Sequence, residues 1–216
     1  MSIKALLFDL DGTLLDTSED LQSALHGVQN HFDYPLSSLK DVQAAMGHGI
    51  EALVKQCLTK LKPSDLDEAI GLFHDAYAQC YNQKTAPYPK IKDYLTQLDH
   101  QGIYLAVVTN KADSYAQNLI ETHFPNLFMS VMGASSQYPK KPHPVMIEET
   151  LRRLGVEAHE ALYIGDTEVD LLSAQNAKMK GILVGWGYRS YESLNDLKSV
   201  VVYRTVDDCF RALGCV

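Results

Sequence analysis

The chain has 216 residues, of which 46% are hydrophobic, 21% charged and 9% aromatic; that is enough to bury roughly 70% of the unfolded surface in one large domain, or one domain with an inserted lobe, without disulfides or a structural metal. Nineteen Lys and Arg against 27 Asp and Glu leave a formal net charge of −8, which disfavours nucleic acid and anionic membranes as partners because both need a basic face. No apolar run approaches the roughly 18 residues of a membrane span and the opening MSIKALLFDLDG is too short and acidic for a signal peptide, so a cytoplasmic protein is expected.

In chain order, the first apolar run, Ala5–Leu10, lacks apolar/polar alternation and reads as a strand buried on both faces. From about Asp16 to Lys84 no convincing strand follows. Ser18–His31, Ile50–Lys60 and Ser64–Tyr81 carry helical periods there, separated by turn signals such as Tyr34-Pro35 and Gly47-His48-Gly49. Thr85-Ala86-Pro87-Tyr88-Pro89 returns the chain through a linker stiffened by two prolines. Beyond it, helical patterns at Ile91–His100, Ala112–Thr122, Pro144–Leu154 and Glu168–Ala177 alternate with apolar runs. Those runs are Ile103–Val108, Phe128–Met132, Ala161–Ile164, Gly181–Val184 and Val200–Tyr203. The expected fold class is α/β: a doubly wound, mostly parallel, Rossmann-like sheet built from residues 1–15 plus 85–216, with residues 16–84 inserted as a helical cap domain. Cys57, Cys80, Cys209 and Cys215 show neither metal-binding nor redox spacing and read as free thiols.

Ligand sites in open parallel sheets lie beyond the carboxyl ends of the strands. The polar residues that follow the runs therefore gather on one edge: Asp9, Asp11 and Gly12 after the first, Thr109 and Asn110 after the second, Asp166 and Asp170 after the run at Ala161–Ile164. Asp9 and Asp11, at i and i+2, project to one side roughly 6–7 Å apart. That spacing lets one carboxylate attack phosphorus while the other serves the leaving oxygen as general acid and base. Gly12 lets the backbone turn and present N–H groups to an anion. Taken alone, Asp-x-Asp-Gly is equally a turn signal. Asp166 and Asp170, at i and i+4, share one face of a helix's first turn, where a capping role competes.

Four converging carboxylates repel, by about 4 kcal/mol per pair at 4 Å and an effective dielectric of 20. A phosphate dianion enters such a site only beside a hard, oxygen-loving cation, and Mg²⁺ held by Asp9 and Asp166 is the inference. Lys141 supplies a second positive charge, although Lys140-Lys141 alone reads as a solvated pair. Thr109 and Asn110 offer a hydroxyl, an amide and N–H groups to phosphate oxygens.

At these residues the chain resembles the haloacid dehalogenase superfamily of phosphohydrolases. D9-L-D-G-T-L14 is similar to its nucleophile motif, V108-T-N-K111 to its second, K141-P142 to its lysine motif and G165-D-T-E-V-D170 to its acidic motif. The resemblance implies Asp9 as a nucleophile that becomes an aspartyl-phosphate, Asp11 as general acid/base, Thr109 and Asn110 as phosphate ligands and Lys141 as the charge-holding lysine. It further implies Mg²⁺ on Asp9, the Asp11 carbonyl and Asp166, with Asp170 beside it or one step removed. D16-T-S-E-D-L21, G47-H-G-I50, Y88-P-K-I91 and G185-W-G-Y188 resemble the phosphoglycolate-phosphatase-like branch, with Lys90 a departure where glycine is common. His48, between two glycines, is the substrate-contacting candidate, with an exposed loop histidine as the competing reading.

The expected function is Mg²⁺-dependent hydrolysis of a small phosphate monoester, with a small phosphorylated metabolite as the partner and a monomer or homodimer equally admissible. The alternatives are a phosphomutase using the same residues on a sugar phosphate, and a phospho-accepting signalling domain, which would keep its phospho-aspartate for longer.

Overall fold

The computed structural model describes residues 3–197 and 200–215; the outermost limits expected for the core, residues 1 and 216, lie outside them. The elements run β1 (Ala5–Phe8), β2 (Leu15–Asp16), α1 (Ser18–His31), α2 (Leu39–Ala45), α3 (Ile50–Cys57) and α4 (Leu66–Cys80). There follow β3 (Ala86–Pro87), α5 (Ile91–His100), β4 (Tyr104–Ala112), α6 (Asp113–His123), β5 (Ser130–Ala134) and α7 (Val145–Leu154). The chain closes with β6 (Ala161–Gly165), α8 (Glu168–Asn176), β7 (Lys180–Val184), α9 (Tyr191–Asn195), β8 (Val201–Tyr203) and α10 (Val206–Ala212).

Six strands form one sheet in the order β5-β4-β1-β6-β7-β8, and every pairing in it is parallel. This is the doubly wound α/β fold that the unalternating apolar runs imply. β1 lies at its centre, pairing Leu7 with Ala106 on one side and with Tyr163 on the other. Both of its faces are buried. Ala5 and Leu7 face a core layer with Met146, Ile147 and Leu151 of α7 and Ala174 of α8. On the opposite face Phe8 stacks on Phe210 of α10, which stacks in turn on Tyr94 of α5 at a centroid distance of 5.0 Å. The order places the switch in chain direction beside β1, so the carboxyl ends of β1, β4 and β6 open on a common crevice.

By contacts the chain divides into two units, residues 1–15 with 87–216 and residues 16–86. The first holds the sheet. The second is helical: α1 and α4 pack against each other, and α2 and α3 complete it. Within it the buried carboxylate of Asp20 on α1 accepts from the N–H groups of Lys84 and Thr85 and the Thr85 hydroxyl at 2.7–3.3 Å, fixing the outgoing chain. β2 and β3 form a separate two-stranded sheet.

Several boundaries differ from the sequence reading, each for a local reason. The pattern at Ile50–Lys60 ends at Cys57, because Leu58 leaves helical geometry. The pattern at Ser64–Tyr81 begins with a 3-10 turn at Pro63–Asp65, with proline in its first turn, before α4 starts at Leu66. α2 has too few residues to show a period. It is set by a capping box in which Ser38 Oγ accepts from Asp41 N and Asp41 Oδ2 accepts from Ser38 N at 2.9 Å. β4 continues past Val108 to Ala112 with a register irregularity, so Thr109, Asn110 and Lys111 sit on an extended strand end. Among the described residues no helix is long and apolar enough to cross a membrane.

Candidate active site

Where β1 stops, Asp9 N still donates to Ile164 O of β6 at 2.9 Å, which carries the Asp9 side chain to the crevice on a strand-like backbone. The chain then turns on Gly12, whose φ is +84°. A Cβ there would run into the Asp166 carboxylate, so only glycine fits. Gly187 makes the same allowance from the loop after β7, passing close to Gly12 O and Asp166. In that loop Trp186 Nε1 donates to Thr13 O at 3.1 Å and Tyr188 N donates to Asp166 Oδ2 at 2.8 Å, while Thr13 Oγ1 donates to Asp166 Oδ1 at 3.2 Å.

Asp170 is placed by a second capping box. Its Oδ2 accepts from Thr167 N at 3.0 Å and from Thr167 Oγ1 at 2.8 Å, at the start of α8. Its Oδ1 accepts from Lys141 Nζ at 2.7 Å. Both of its oxygens are thus engaged by protein donors, which makes it a group that positions others. Lys141 Nζ also lies 2.9 Å from Asp9 Oδ1, a charge contact without an aligned hydrogen bond. Lys141 is held at its backbone too: its N–H donates to Asn110 Oδ1 at 2.8 Å and its carbonyl accepts from Asn110 Nδ2 at 3.1 Å. The Asn110 amide therefore fixes the lysine loop. Thr109 is buried, and its hydroxyl accepts from Lys111 N at 3.2 Å.

Lys111 escaped the sequence reading although it stood inside a motif. Lys111 Nζ reaches both oxygens of Asp11, at 3.0 and 3.2 Å, and is nearly buried. Its signal was position: a lysine two residues after Thr109, at the strand end facing Asp11. The expected residues Asp9, Asp11, Gly12, Thr109, Asn110, Lys141, Asp166 and Asp170 thus converge through named contacts. His48 belongs to the second unit, exposed on the turn between α2 and α3.

Electrostatically the site is overloaded with negative charge. Acid oxygens of Asp9, Asp166 and Asp170 lie within 4.8 Å of one another. With Lys141 as their internal cation, the fully ionised group carries a charge of −2. Burial is the main force raising the Asp9 carboxyl from 3.8 to about 6; the Lys141 charge opposes it and the Asp170 charge adds to it. Burial, then the charges of Asp170 and Asp9, push Asp166 well above the carboxylate range. For Lys141 burial works against the charged form, but Asp170 and Asp9 outweigh it and hold the ammonium protonated well above the lysine range. Such a site takes up either protons or a hard divalent cation.

The haloacid dehalogenase-like hydrolase profile matches residues 6–184. A phosphoglycolate phosphatase from Vibrio parahaemolyticus is 34% identical over 201 residues, spanning 89% of this chain and 88% of the relative. One from Aliivibrio fischeri is 33% identical over 208 residues, 93% of this chain and 92% of the relative. Among solved structures, a protein from Lactobacillus delbrueckii subsp. bulgaricus, described provisionally as a phosphoglycolate phosphatase, superposes with a TM-score of 0.94 at 31% identity, covering 99% of both chains. The chain belongs to the haloacid dehalogenase-like hydrolase family. Within that family it is an enzyme of the phosphoglycolate-phosphatase-like kind, a phosphoric monoester hydrolase.

Proposed function

We propose that this enzyme hydrolyses a small phosphate monoester, phosphoglycolate or an ester of similar size, by way of a phosphoryl group carried on Asp9. The observation that supports this most is the buried Asp9 carboxylate, at the end of the central strand, with a lysine ammonium 2.9 Å away and a second carboxylate two residues on. Asp9 attacks phosphorus, the phosphorus–ester oxygen bond breaks, and Asp11 delivers a proton to the departing alkoxide. Water then attacks the phosphoryl group with Asp11 taking its proton, which releases inorganic phosphate and restores Asp9. Lys111 holds Asp11 in place through both oxygens. Lys141 balances charge on Asp9 and the phosphoryl oxygens, and backbone N–H groups near Gly12 together with Thr109 and the Asn110 segment bind the phosphate.

The donor set fits a divalent cation: acid oxygens within 4.8 Å of one another, a surplus of two negative charges, and carboxyls that burial leaves proton-hungry. Asp9, the Asp11 carbonyl and Asp166 would hold Mg²⁺, with Asp170 acting through Lys141 and the Thr167 cap. When bound, the ion neutralises charge on the phosphoryl oxygens and on the clustered carboxylates. The substrate read from this chemistry is a small phosphorylated metabolite of the cytoplasm. The test is phosphate release from a panel of small esters, with and without Mg²⁺, by wild type and Asp9→Asn. Mg²⁺-dependent turnover that Asp9→Asn abolishes supports the reading, and the absence of release from every ester by folded, Mg²⁺-loaded wild type overturns it.

A further inference from the structure

Tyr163 is the largest fully buried side chain of the sheet, yet it carries a hydroxyl into the middle of the charged cluster. It sits on β6 directly opposite Leu7 of β1. Its phenol has one proton to give. The hydroxyl lies 2.7 Å from Val108 O and 3.4 Å from Asp170 Oδ1, so the proton belongs on the Val108 carbonyl. The lone pairs then face Lys141 Nζ, which donates to the phenol oxygen at 3.0 Å. Burial, opposed by the Lys141 charge and reinforced by Asp170, raises the phenol well above the tyrosine range and keeps it neutral.

The ammonium of Lys141 therefore has two aligned acceptors, Asp170 Oδ1 and Tyr163 Oη, and one unaligned charge contact, Asp9 Oδ1. Two aligned acceptors fix the place of an ammonium carried on a flexible stem. We propose that Tyr163 is a positioning residue for catalysis: its phenol, together with Asp170, holds the Lys141 ammonium charge beside Asp9 and, through the same oxygen, ties that ammonium to Val108 of β4, next to Thr109. This inference rests on the functional reading above for its catalytic part, although the Tyr163–Lys141 coupling does not. Without the phenol the Lys141 head has Asp170 as its one aligned anchor, and its four-carbon stem can pivot about that contact, so the charge is no longer held 2.9 Å from Asp9.

The test is Tyr163→Phe, which keeps the ring volume and removes only the hydroxyl. Two measurements follow. In steady-state hydrolysis, kcat falls about tenfold, the kinetic counterpart of one hydrogen bond to a charged group, while KM changes by less than about twofold. In denaturant unfolding of the metal-free protein, the loss caused by Tyr163→Phe shrinks by at least about half when Lys141→Met is already present, because the two groups act through one contact. An unchanged kcat, or unfolding effects that simply add in the double variant, overturns the inference; so does a kcat loss matched by an equal change in KM. If wild type turns over no ester, the functional reading fails by itself, and the unfolding cycle still decides whether Tyr163 positions Lys141.

Discussion

Asp9→Asn is expected to stabilise the metal-free protein while abolishing turnover. Burial raises the Asp9 carboxyl from 3.8 to about 6, so at pH 7 and without a cation the ionised group withholds about 3 kcal/mol from the folded state, at about 1.4 kcal/mol per pH unit. The sign follows from proton binding: the folded protein holds this proton more tightly than the unfolded chain does. The penalty is therefore complete above about pH 6 and disappears as the pH falls toward about 4. Asparagine carries no charge to penalise, and Lys141 keeps Asp170 as its partner at 2.7 Å. For a chain of this length about 3 kcal/mol corresponds to a rise in melting midpoint of up to roughly 6–12 °C. The assay is thermal unfolding of wild type and Asp9→Asn in EDTA from pH 4.5 to 8. The variant should lie above wild type at pH 7.5, with the gap narrowing on acidification. Adding Mg²⁺ should raise wild type more than the variant. A variant at or below wild type at pH 7.5, or a gap that does not change with pH, would refute the electrostatic account of the site.

Other expectations follow from the same contacts. Lys141→Met leaves three buried carboxylates with no internal cation, and denaturant unfolding at pH 8 should show a loss of about 3–5 kcal/mol; an unchanged midpoint would contradict the buried ion pairs. Lys111→Met releases both oxygens of Asp11, and kcat should fall on the order of 100-fold, within the usual range for acid–base assistance; a kcat within a factor of about two would remove Lys111 from the mechanism. Gly12→Ala places a methyl against the Asp166 carboxylate at a positive φ, which costs about 1–3 kcal/mol of strain alone. Its melting point should drop and the Mg²⁺ concentration for half-maximal activity should rise, and wild-type values for both would show that the turn relaxes. Mg²⁺ at about 100 times its dissociation constant should stabilise wild type by about 2.7 kcal/mol, read as a midpoint shift that Ca²⁺-free EDTA buffer reverses.

The strands were legible because central parallel strands bury both faces. Ala5–Phe8 and Ala161–Gly165 read as unbroken apolar runs for the same reason that Leu7 and Phe8 serve opposite core layers. α5 and α1 were legible at both ends, since their apolar periods are long and regular. The short elements were not: α2, α9 and α10 span seven residues or fewer and are set by side-chain caps at Ser38, Ser190 and Thr205, not by periodicity. In the site, the carboxylates could be placed from their spacing relative to strand ends. Partnerships across the sheet could not. Lys111 meets Asp11 across 100 positions through the pairing of β4 with β1, and Tyr163 meets Lys141 across 22 because the Asn110 amide on β4 holds the Lys141 loop near β6. The Asn110 amide shows the same limit, since its residue type suits a phosphate as well as the Lys141 backbone it clasps.

The short pairing of β2 with β3 bears on how the chain finds this arrangement at all. Leu7 of the strand that carries the nucleophile must meet Ala106, 99 positions away, and closing so long a loop slows folding. Once residues 16–86 fold locally and Leu15–Asp16 meets Ala86–Pro87, the path between the two strands contracts to about 30 residues. That lowers the closure entropy by about 1 kcal/mol. A helical insertion whose ends are clasped together therefore works as a splice in the chain: it can vary in length or content without lengthening the route by which β1 finds β4.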